Sequence, residues 1–154
     1  MPNETDVESV ERIIPAAPEA IFALLADPSR HADIDGSGSL VRAKGETKRL
    51  TLGSTFGMSM KMGLPYSMSN TVIEFEENKR IAWQTRGGGR IGRMVGGRIW
   101  RYELEPAEGG TLVRESWDIS QESRATKFMV QKGGAHTRDN MAATLTRIEE
   151  LLAT

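Results

Sequence analysis

The pattern that most constrains this fold is a long run of two-residue alternation between apolar and small or polar residues, from Leu40 to Ile119. The strands predicted within this run are 56–62, 67–76, 80–85, 98–105 and 111–119. Short turn segments at 63–65, 77–79 and 108–110 are among the connections. Consecutive strands joined by short turns favour an antiparallel meander and argue against strand–helix–strand units.

The two ends of the chain carry other patterns. Residues 7–14 are predicted as a first strand, Pro18 begins a short helix, and 29–35 form a further helical turn. A helix is predicted at 122–132 and a longer one within 133–153, where apolar residues recur at helical spacing: Met141, Leu145, Ile148 and Leu152. A twisted sheet must cover its apolar face, and the last helix is the largest element available. We therefore predict an α+β helix-grip fold, in which a curved antiparallel sheet of about six to seven strands wraps around a long C-terminal helix, with two short helices after strand one.

Length and composition limit the classes of function. The 154 residues predict one domain over 1–154, because chains of this size fold around a single core. A net charge of −1 gives no general attraction to nucleic acid, and the absence of cysteine excludes disulfides and a thiolate nucleophile. Apolar runs are too short to span a membrane and the acidic start is unlike a secretory signal, so we expect a cytoplasmic protein without integral membrane association.

The segment 86–98 is rich in glycine and arginine. Gly87, Gly89 and Gly92 fit the G-x-G-x-x-G pattern of dinucleotide-binding loops, but that motif needs a helix to begin there, and a strand is predicted instead. We interpret the segment as a hairpin loop and predict no cofactor. An alternative interpretation is that the basic residues in and near this segment contact a phosphate or an acidic group of a ligand. These residues are Arg86, Arg90, Arg93, Arg98 and Arg101.

The sequence gives little support for a metal-dependent or a hydrolytic enzyme. His31, Asp33 and Asp35 are spaced two residues apart, but the only other histidine is His136, and a zinc site needs three or four ligands. We therefore predict no metal, and expect His31 near a cavity mouth or capping a helical turn. No G-x-S-x-G motif is present to indicate a hydrolase.

Pairing counted from the hairpin turns places the large side chains on one face of the sheet. It sets Trp100 opposite Trp117 and Tyr102 opposite Glu115. The aromatic and apolar row predicted across the sheet is Phe56, Ile73, Trp83, Trp100 and Trp117. A packed core is one interpretation of this row, since cross-strand aromatic pairs stabilise sheets.

A ligand cavity is the other interpretation, because the same face carries polar residues that are costly to bury. Arg138 is predicted on the inward face of the last helix, with Glu115 as its partner. The alternative prediction is that its side chain extends into solvent. The predicted ligand-binding residues are Phe56, Met58, Met60, Ile73, Trp83, Arg98, Trp100, Tyr102, Glu115, Trp117, Arg138 and Met141.

Four segments resemble the SRPBCC superfamily, which has the helix-grip fold of START domains and the birch-pollen allergen, and within it the polyketide cyclase/dehydrase-like proteins. The segments are AAPEAIFALLADPSRH, NTVIEFEENKRIAWQT, GGRIWRYELEP with GGTLVRESWDIS, and NMAATLTRIEELL. The resemblance implies a cavity between sheet and last helix that binds a small hydrophobic ligand, such as a lipid, polyketide or aromatic compound, in a monomer or homodimer. It also implies an alternative, a cofactor-free cyclase or dehydratase acting on an aromatic substrate. It identifies no catalytic residue, because the family has no invariant catalytic motif.

Overall fold

The computed structural model describes residues 6–38, 40–44, 48–62, 64–88, 92 and 94–153. Its strands are β1 (Val7–Ile14), β2 (Leu40–Lys44), β3 (Thr55–Met62), β4 (Leu64–Glu76), β5 (Arg80–Gly87), β6 (Gly96–Ala107) and β7 (Gly110–Asp118). Its helices are α1 (Pro18–Leu25), α2 (His31–Ile34), α3 (Arg124–Gln131) and α4 (Gly134–Leu152), with a 3₁₀ turn at Pro28–Arg30. The predicted order of elements is confirmed.

The described strands form one antiparallel sheet of seven, in the order β1-β7-β6-β5-β4-β3-β2. Strands β2 to β7 form the predicted meander, and β1 pairs with β7, so that Val10 lies opposite Glu115. Helix α4 packs against β1 and β7. This is the predicted helix-grip fold. None of the described helices is long and apolar enough to cross a membrane.

Helix α4 presents one apolar stripe to the sheet. Met141, Leu145 and Ile148 are all buried, as their spacing predicts. Burial of such a side chain contributes roughly 1.5–3 kcal/mol, so the stripe is a main attachment of helix to sheet. The predicted break before α4 is also present, since α3 ends at Gln131 and α4 begins at Gly134.

The registers of the last three strands agree with prediction. Trp100 pairs with Trp117, Tyr102 pairs with Glu115, and Trp83 pairs with Trp100. These hairpins have turn residues that mark their centres, such as Gly109 and Gly110, both at positive φ.

The predicted continuation of the row into β4 and β3 is wrong. A β-bulge between Val72 and Glu74 shifts the pairing, so Trp83 lies opposite Val72, and Ile73 leaves the row. Phe56 lies opposite Asn70 instead of Ile73, because Leu64 and Pro65, predicted as part of the turn, already belong to β4. Gly63, the remaining residue of that predicted turn, lies outside the described residues.

The glycine-rich segment connects β5 to β6. Arg86 pairs with Gly96 across this connection, so the chain is back in the sheet soon after Gly92, which leaves no room for the long helix of a dinucleotide-binding unit. Gly97 has a φ of 115°, and a Cβ there would lie 2.4 Å from the carbonyl oxygen of Gln121. The start of β6 therefore requires glycine. Gly89, Arg90 and Arg93 lie outside the described residues.

Candidate ligand-binding site

A cavity of about 620 Å³ lies between the concave face of the sheet and the first half of α4. Helix α2 and the loop after it close one side. The aromatic and aliphatic residues that border it are Ile34, Leu40, Met58, Met60, Tyr66, Met68, Trp83, Trp100, Tyr102 and Met141. The polar residues and glycine that border it are His31, Asp35, Ser37, Gly38, Lys61, Thr85, Arg98, Glu115, His136, Thr137, Asn140 and Thr144.

Eight of the twelve residues predicted from the sequence border this cavity: Met58, Met60, Trp83, Arg98, Trp100, Tyr102, Glu115 and Met141. Four do not: Phe56, Ile73, Trp117 and Arg138. The eight come from strands whose pairing fixes which face each side chain occupies, together with the inward stripe of α4. Whether any of them binds a ligand remains a prediction.

Two of the four misplaced residues support the cavity wall from behind. Phe56 makes edge contacts with His31 and Trp83, at ring-centroid distances of 5.4 and 5.5 Å. Trp117 packs in a separate apolar cluster with Ile119 and Met141, where α4 covers the sheet closely. Neither side chain borders the cavity, so their predicted contact with it is wrong.

Arg138 lies on the outside of α4. Its side chain is 52% exposed and forms an ion pair with Glu8, at 3.2 Å between Nη1 and Oε2. The predicted pairing with Glu115 is therefore wrong, and the alternative in which Arg138 reaches solvent is the one observed. The physical reason is that β1 adds to the sheet beside β7 and brings Glu8 close to α4.

The charge of Arg98 is compensated inside the cavity wall. Its Nε and Nη2 donate to Glu122 Oε1 and Oε2, at 3.2 and 3.0 Å, and the Glu122 side chain is 0% exposed. Thr126 Oγ1 donates to the same carboxylate at 2.5 Å. A bidentate pair of this kind holds the guanidinium in place and leaves little of its charge for an anionic ligand.

The imidazole of His31 has a defined tautomer. Its Nε2 lies 2.8 Å from the carbonyl oxygen of Leu25, which can only accept, so Nε2 carries the proton. Nδ1 is then an acceptor, and it has no hydrogen-bond partner among the described residues. Burial lowers the pKa of His31, while the hydrogen bond to Leu25 acts in the opposite direction. The sequence predicted His31 either near a cavity mouth or capping a helical turn. Its side chain is 4% exposed and forms part of the wall, and its backbone N–H donates to the Pro28 carbonyl at the end of the 3₁₀ turn.

Glu115 is a buried carboxyl beside Tyr102, its partner across the sheet. Burial raises the pKa of Glu115 well above its usual range, and the hydrogen bond from the Tyr102 hydroxyl offsets this only in part. Among the residues that the structure describes, Glu115 Oε1 has no hydrogen-bond partner. A neutral carboxyl of this kind has a proton to donate.

The loop between α2 and β2 was missing from the predicted site. The Gly36 N–H donates to Thr144 Oγ1 at 2.8 Å, and Arg147 Nη1 donates to the Asp35 carbonyl at 2.6 Å. These contacts hold 35–38 against α4 at the cavity edge. The sequence of this stretch, Gly36-Ser37-Gly38, carries no signal for this role, because contacts between such distant segments leave no local pattern.

The other polar groups of the site are satisfied or lie at its mouth. Thr85 Oγ1 donates to Asn70 Oδ1 at 2.6 Å, which explains two buried polar residues on the sheet face. Lys61 and His136 are exposed at the cavity entrance. Within the described ranges, no three His, Asp or Glu side chains are grouped to hold a metal ion.

Residues 7–153 match the family described as polyketide cyclase / dehydrase and lipid transport. The chain belongs to this family. The resemblance to the SRPBCC superfamily is thereby confirmed. An uncharacterized protein of Mycobacterium tuberculosis is 32% identical to this family member over 154 aligned positions, which cover 94% of the chain and 62% of that relative. The chain thus spans less than two thirds of the length of the curated relatives that it matches.

Solved structures of low sequence identity share the fold. A protein from Nitrosomonas europaea superimposes with a TM-score of 0.74 at 17% identity, covering 98% of this chain and 96% of that one. The di-domain ARO/CYC StfQ from the steffimycin biosynthetic pathway gives a TM-score of 0.71 at 9% identity, covering 94% of this chain and 49% of that one. At such identities the likeness shows the helix-grip fold alone.

Proposed function

We propose that this family member binds one small, largely apolar ligand, such as an aromatic, polyketide or lipid molecule, in the cavity between the sheet and α4. The observation that carries this proposal is the cavity itself. Its volume of about 620 Å³ is within the ~300–1,000 Å³ typical of small-molecule sites. We also propose that the chain acts as a single ligand-binding domain whose partner is a small molecule and not nucleic acid.

The composition of the walls supports this proposal over a packed core. Four methionines border the cavity, namely Met58, Met60, Met68 and Met141, and flexible thioether side chains adapt to ligands of varied shape. Trp83 and Trp100 add rigid aromatic surface on the sheet side. A few buried polar groups lie among these apolar ones, which is the usual make-up of a site that orients an apolar ligand.

Filling the cavity is the direct test. Asn140→Phe introduces a large side chain at the cavity edge, whereas Ala142→Phe introduces the same side chain on the exposed face of α4. We expect N-phenyl-1-naphthylamine, a neutral fluorescent probe, to bind the native chain and Ala142→Phe at micromolar concentration. Asn140→Phe should weaken binding at least tenfold without loss of stability.

Two results would overturn the proposal. One is that the probe fails to bind the native chain and native mass spectrometry finds no co-purifying small molecule. The other is that both phenylalanine variants bind the probe as the native chain does, because binding would then occur elsewhere on the surface.

A second candidate function is proton transfer on a bound ketone. It is favoured by two groups that border the cavity: the unpartnered His31 Nδ1, a base, and the buried Glu115, whose raised pKa favours the acid form. His31 Nδ1 would take a proton from the carbon beside the carbonyl while Glu115 gives its proton to the carbonyl oxygen, which forms the enol. In D₂O, the native chain should exchange the acetyl protons of 6-acetyl-2-methoxynaphthalene, which has no hydroxyl to donate to His31 Nδ1, faster than His31→Phe does. Equal exchange rates would reject this candidate.

A further inference from the structure

Two buried polar atoms lack hydrogen-bond partners among the described side chains, and both belong to residues that border the cavity. They are His31 Nδ1 and Glu115 Oε1, in residues that are 4% and 2% exposed. Buried polar atoms in proteins are nearly always hydrogen-bonded, so an unpartnered one needs an explanation. That both lie at one cavity points to a ligand as the missing partner.

A continuous series of contacts in the aromatic wall connects the two residues. His31 stacks on Trp83 at 5.0 Å, Trp83 contacts Tyr102 at 5.6 Å between ring centroids, and Tyr102 pairs with Glu115 across the strands. A small molecule that lies along Trp83 and Tyr102 would therefore extend from His31 toward Glu115.

The chemistry of each atom defines the group that would satisfy it. Because Nε2 of His31 donates to the Leu25 carbonyl, Nδ1 can only accept, and it needs a donor such as a hydroxyl. Burial raises the pKa of Glu115 and so favours its protonated form, and its Oε1 has no hydrogen-bond partner among the described residues. Its free oxygen therefore offers a proton to an acceptor such as a carbonyl.

The surrounding charges disfavour an anionic group at this end of the cavity. The carboxylate of Asp35 also borders the cavity, and it raises the pKa values of both Tyr102 and Glu115. The guanidinium of Arg98 is already paired with Glu122. A ligand carboxylate beside Glu115 would thus meet repulsion from Asp35. The other cation that borders the cavity, Lys61, is exposed at its entrance.

We propose that the ligand is an uncharged aromatic compound with a hydroxyl that donates to His31 Nδ1 and a carbonyl that accepts from Glu115. This inference rests on the proposed function and specifies its ligand class. It predicts that the site prefers hydroxylated aromatic ketones to fatty-acid anions. An apolar cavity alone does not predict such a preference.

Four matched naphthalenes test the inference by quenching of tryptophan fluorescence. 6-Acetyl-2-naphthol has both groups, 6-acetyl-2-methoxynaphthalene lacks the donor, 6-ethyl-2-naphthol lacks the carbonyl, and 6-hydroxy-2-naphthoate is anionic. We expect the first to bind about five- to tenfold more tightly than the second and third, as one hydrogen bond allows, and the anion to bind most weakly.

Variants assign each preference to its residue. His31→Phe keeps a ring against Trp83 but lacks Nδ1, and should abolish the preference for the hydroxyl while retaining that for the carbonyl. Glu115→Leu should abolish the preference for the carbonyl and retain that for the hydroxyl. Glu115→Gln, which keeps a neutral donor, should retain both preferences.

The outcomes separate this inference from the proposed function. If all four naphthalenes bind the native chain equally, or if His31→Phe retains the hydroxyl preference, the ligand class is wrong and apolar binding stands. If none binds and N-phenyl-1-naphthylamine also fails, both are wrong. The comparison on the native chain needs no variant, so it decides even if His31→Phe does not fold.

Discussion

His31 stacks on Trp83 with ring centroids 5.0 Å and planes 19° apart, and its Nε2 is held 2.8 Å from the Leu25 carbonyl. The contact joins helix α2 to the centre of the sheet. A short helix thereby contributes a polar acceptor to a cavity whose walls are otherwise mostly strand residues and one face of α4.

Acid should destabilise the protein through His31. Burial lowers its pKa from the ordinary 6.5, so below pH 6.5 the unfolded chain takes up a proton that the folded chain does not. This contribution to stability is complete above pH 6.5 and is lost as the pH falls toward the folded pKa. His31→Phe should remove this loss, measured as the free energy of urea unfolding between pH 7.5 and 5.

The same variant should be less stable than the native chain at pH 7.5, by about 1–3 kcal/mol, because the Leu25 carbonyl loses its buried donor. His136→Gln is the control, since it removes the exposed histidine at the entrance and should leave the acid dependence in place. An unchanged acid dependence in His31→Phe would show that His31 is not the group responsible.

Glu115 should produce a pH dependence of the opposite sign. Its folded pKa is raised above the ordinary 4.5, so as the pH rises past 4.5 the unfolded chain ionises while the folded chain stays protonated. The contribution of Glu115 to the free energy of unfolding is fully present below pH 4.5 and is lost as the pH rises through the folded pKa. Each unit of raised pKa corresponds to about 1.4 kcal/mol. Glu115→Gln should therefore be more stable than the native chain at pH 7, measured by urea unfolding.

Glu149 provides a matched comparison. The hydrogen bonds from Arg12 lower the pKa of Glu149. The contribution of Glu149 to stability is therefore present above pH 4.5 and is lost as the pH falls below it. Glu149→Gln should thus lose stability at pH 7 and approach the native chain in acid. If Glu115→Gln behaved in the same way, the Glu115 carboxyl would be ionised in the folded chain.

Gly36 should tolerate no side chain. A Cβ there would lie 2.1 Å from the Asn140 carbonyl oxygen and 2.6 Å from the Thr144 nitrogen, both in the backbone of α4. Gly36→Ala should destabilise the protein by about 1–3 kcal/mol and weaken N-phenyl-1-naphthylamine binding, because 35–38 must move away from α4. Gly133→Ala, whose Cβ meets its nearest atom at 3.4 Å, should change thermal stability much less. Equal losses in the two variants would contradict the close approach.

The pair of Arg98 and Glu122 should be strongly coupled. Arg98→Met leaves a buried carboxylate without its partner, and a loss of about 3 kcal/mol is expected. Adding Glu122→Gln removes the stranded charge and should recover much of that loss, which a double-mutant cycle by urea unfolding measures. Additive effects would show that the pair is not coupled.

The parts of the fold that sequence reasoning predicted are those with local signals. Two-residue alternation identified the strands, the apolar spacing from Met141 to Ile148 identified the stripe of α4, and the turn at Gly109 and Gly110 fixed the last hairpin. In each case a one-residue error would turn a whole set of apolar side chains to the wrong face.

The errors arose where geometry depends on distant partners. The bulge beside Ile73 has no turn residue to mark it, so the predicted row lost its register in β4. Arg138 has the helical spacing of the inward residues, but it lies in the first turns of α4, where its side chain forms an ion pair with Glu8 at the surface. The role of His31 depends on Leu25 and Trp83, which meet it only in the folded chain.

The most direct test of ligand binding in the cavity is NMR of methionine methyl groups labelled with ¹³C. Met58, Met60, Met68 and Met141 border the cavity, whereas Met94 and Met129 are exposed on the surface and serve as internal controls. On titration with 6-acetyl-2-naphthol, the four cavity methyls should shift and show nuclear Overhauser effects to the ligand, and the two controls should not. Shifts confined to Met94 and Met129, or no shift in any methyl at saturating ligand, would contradict a cavity-bound ligand.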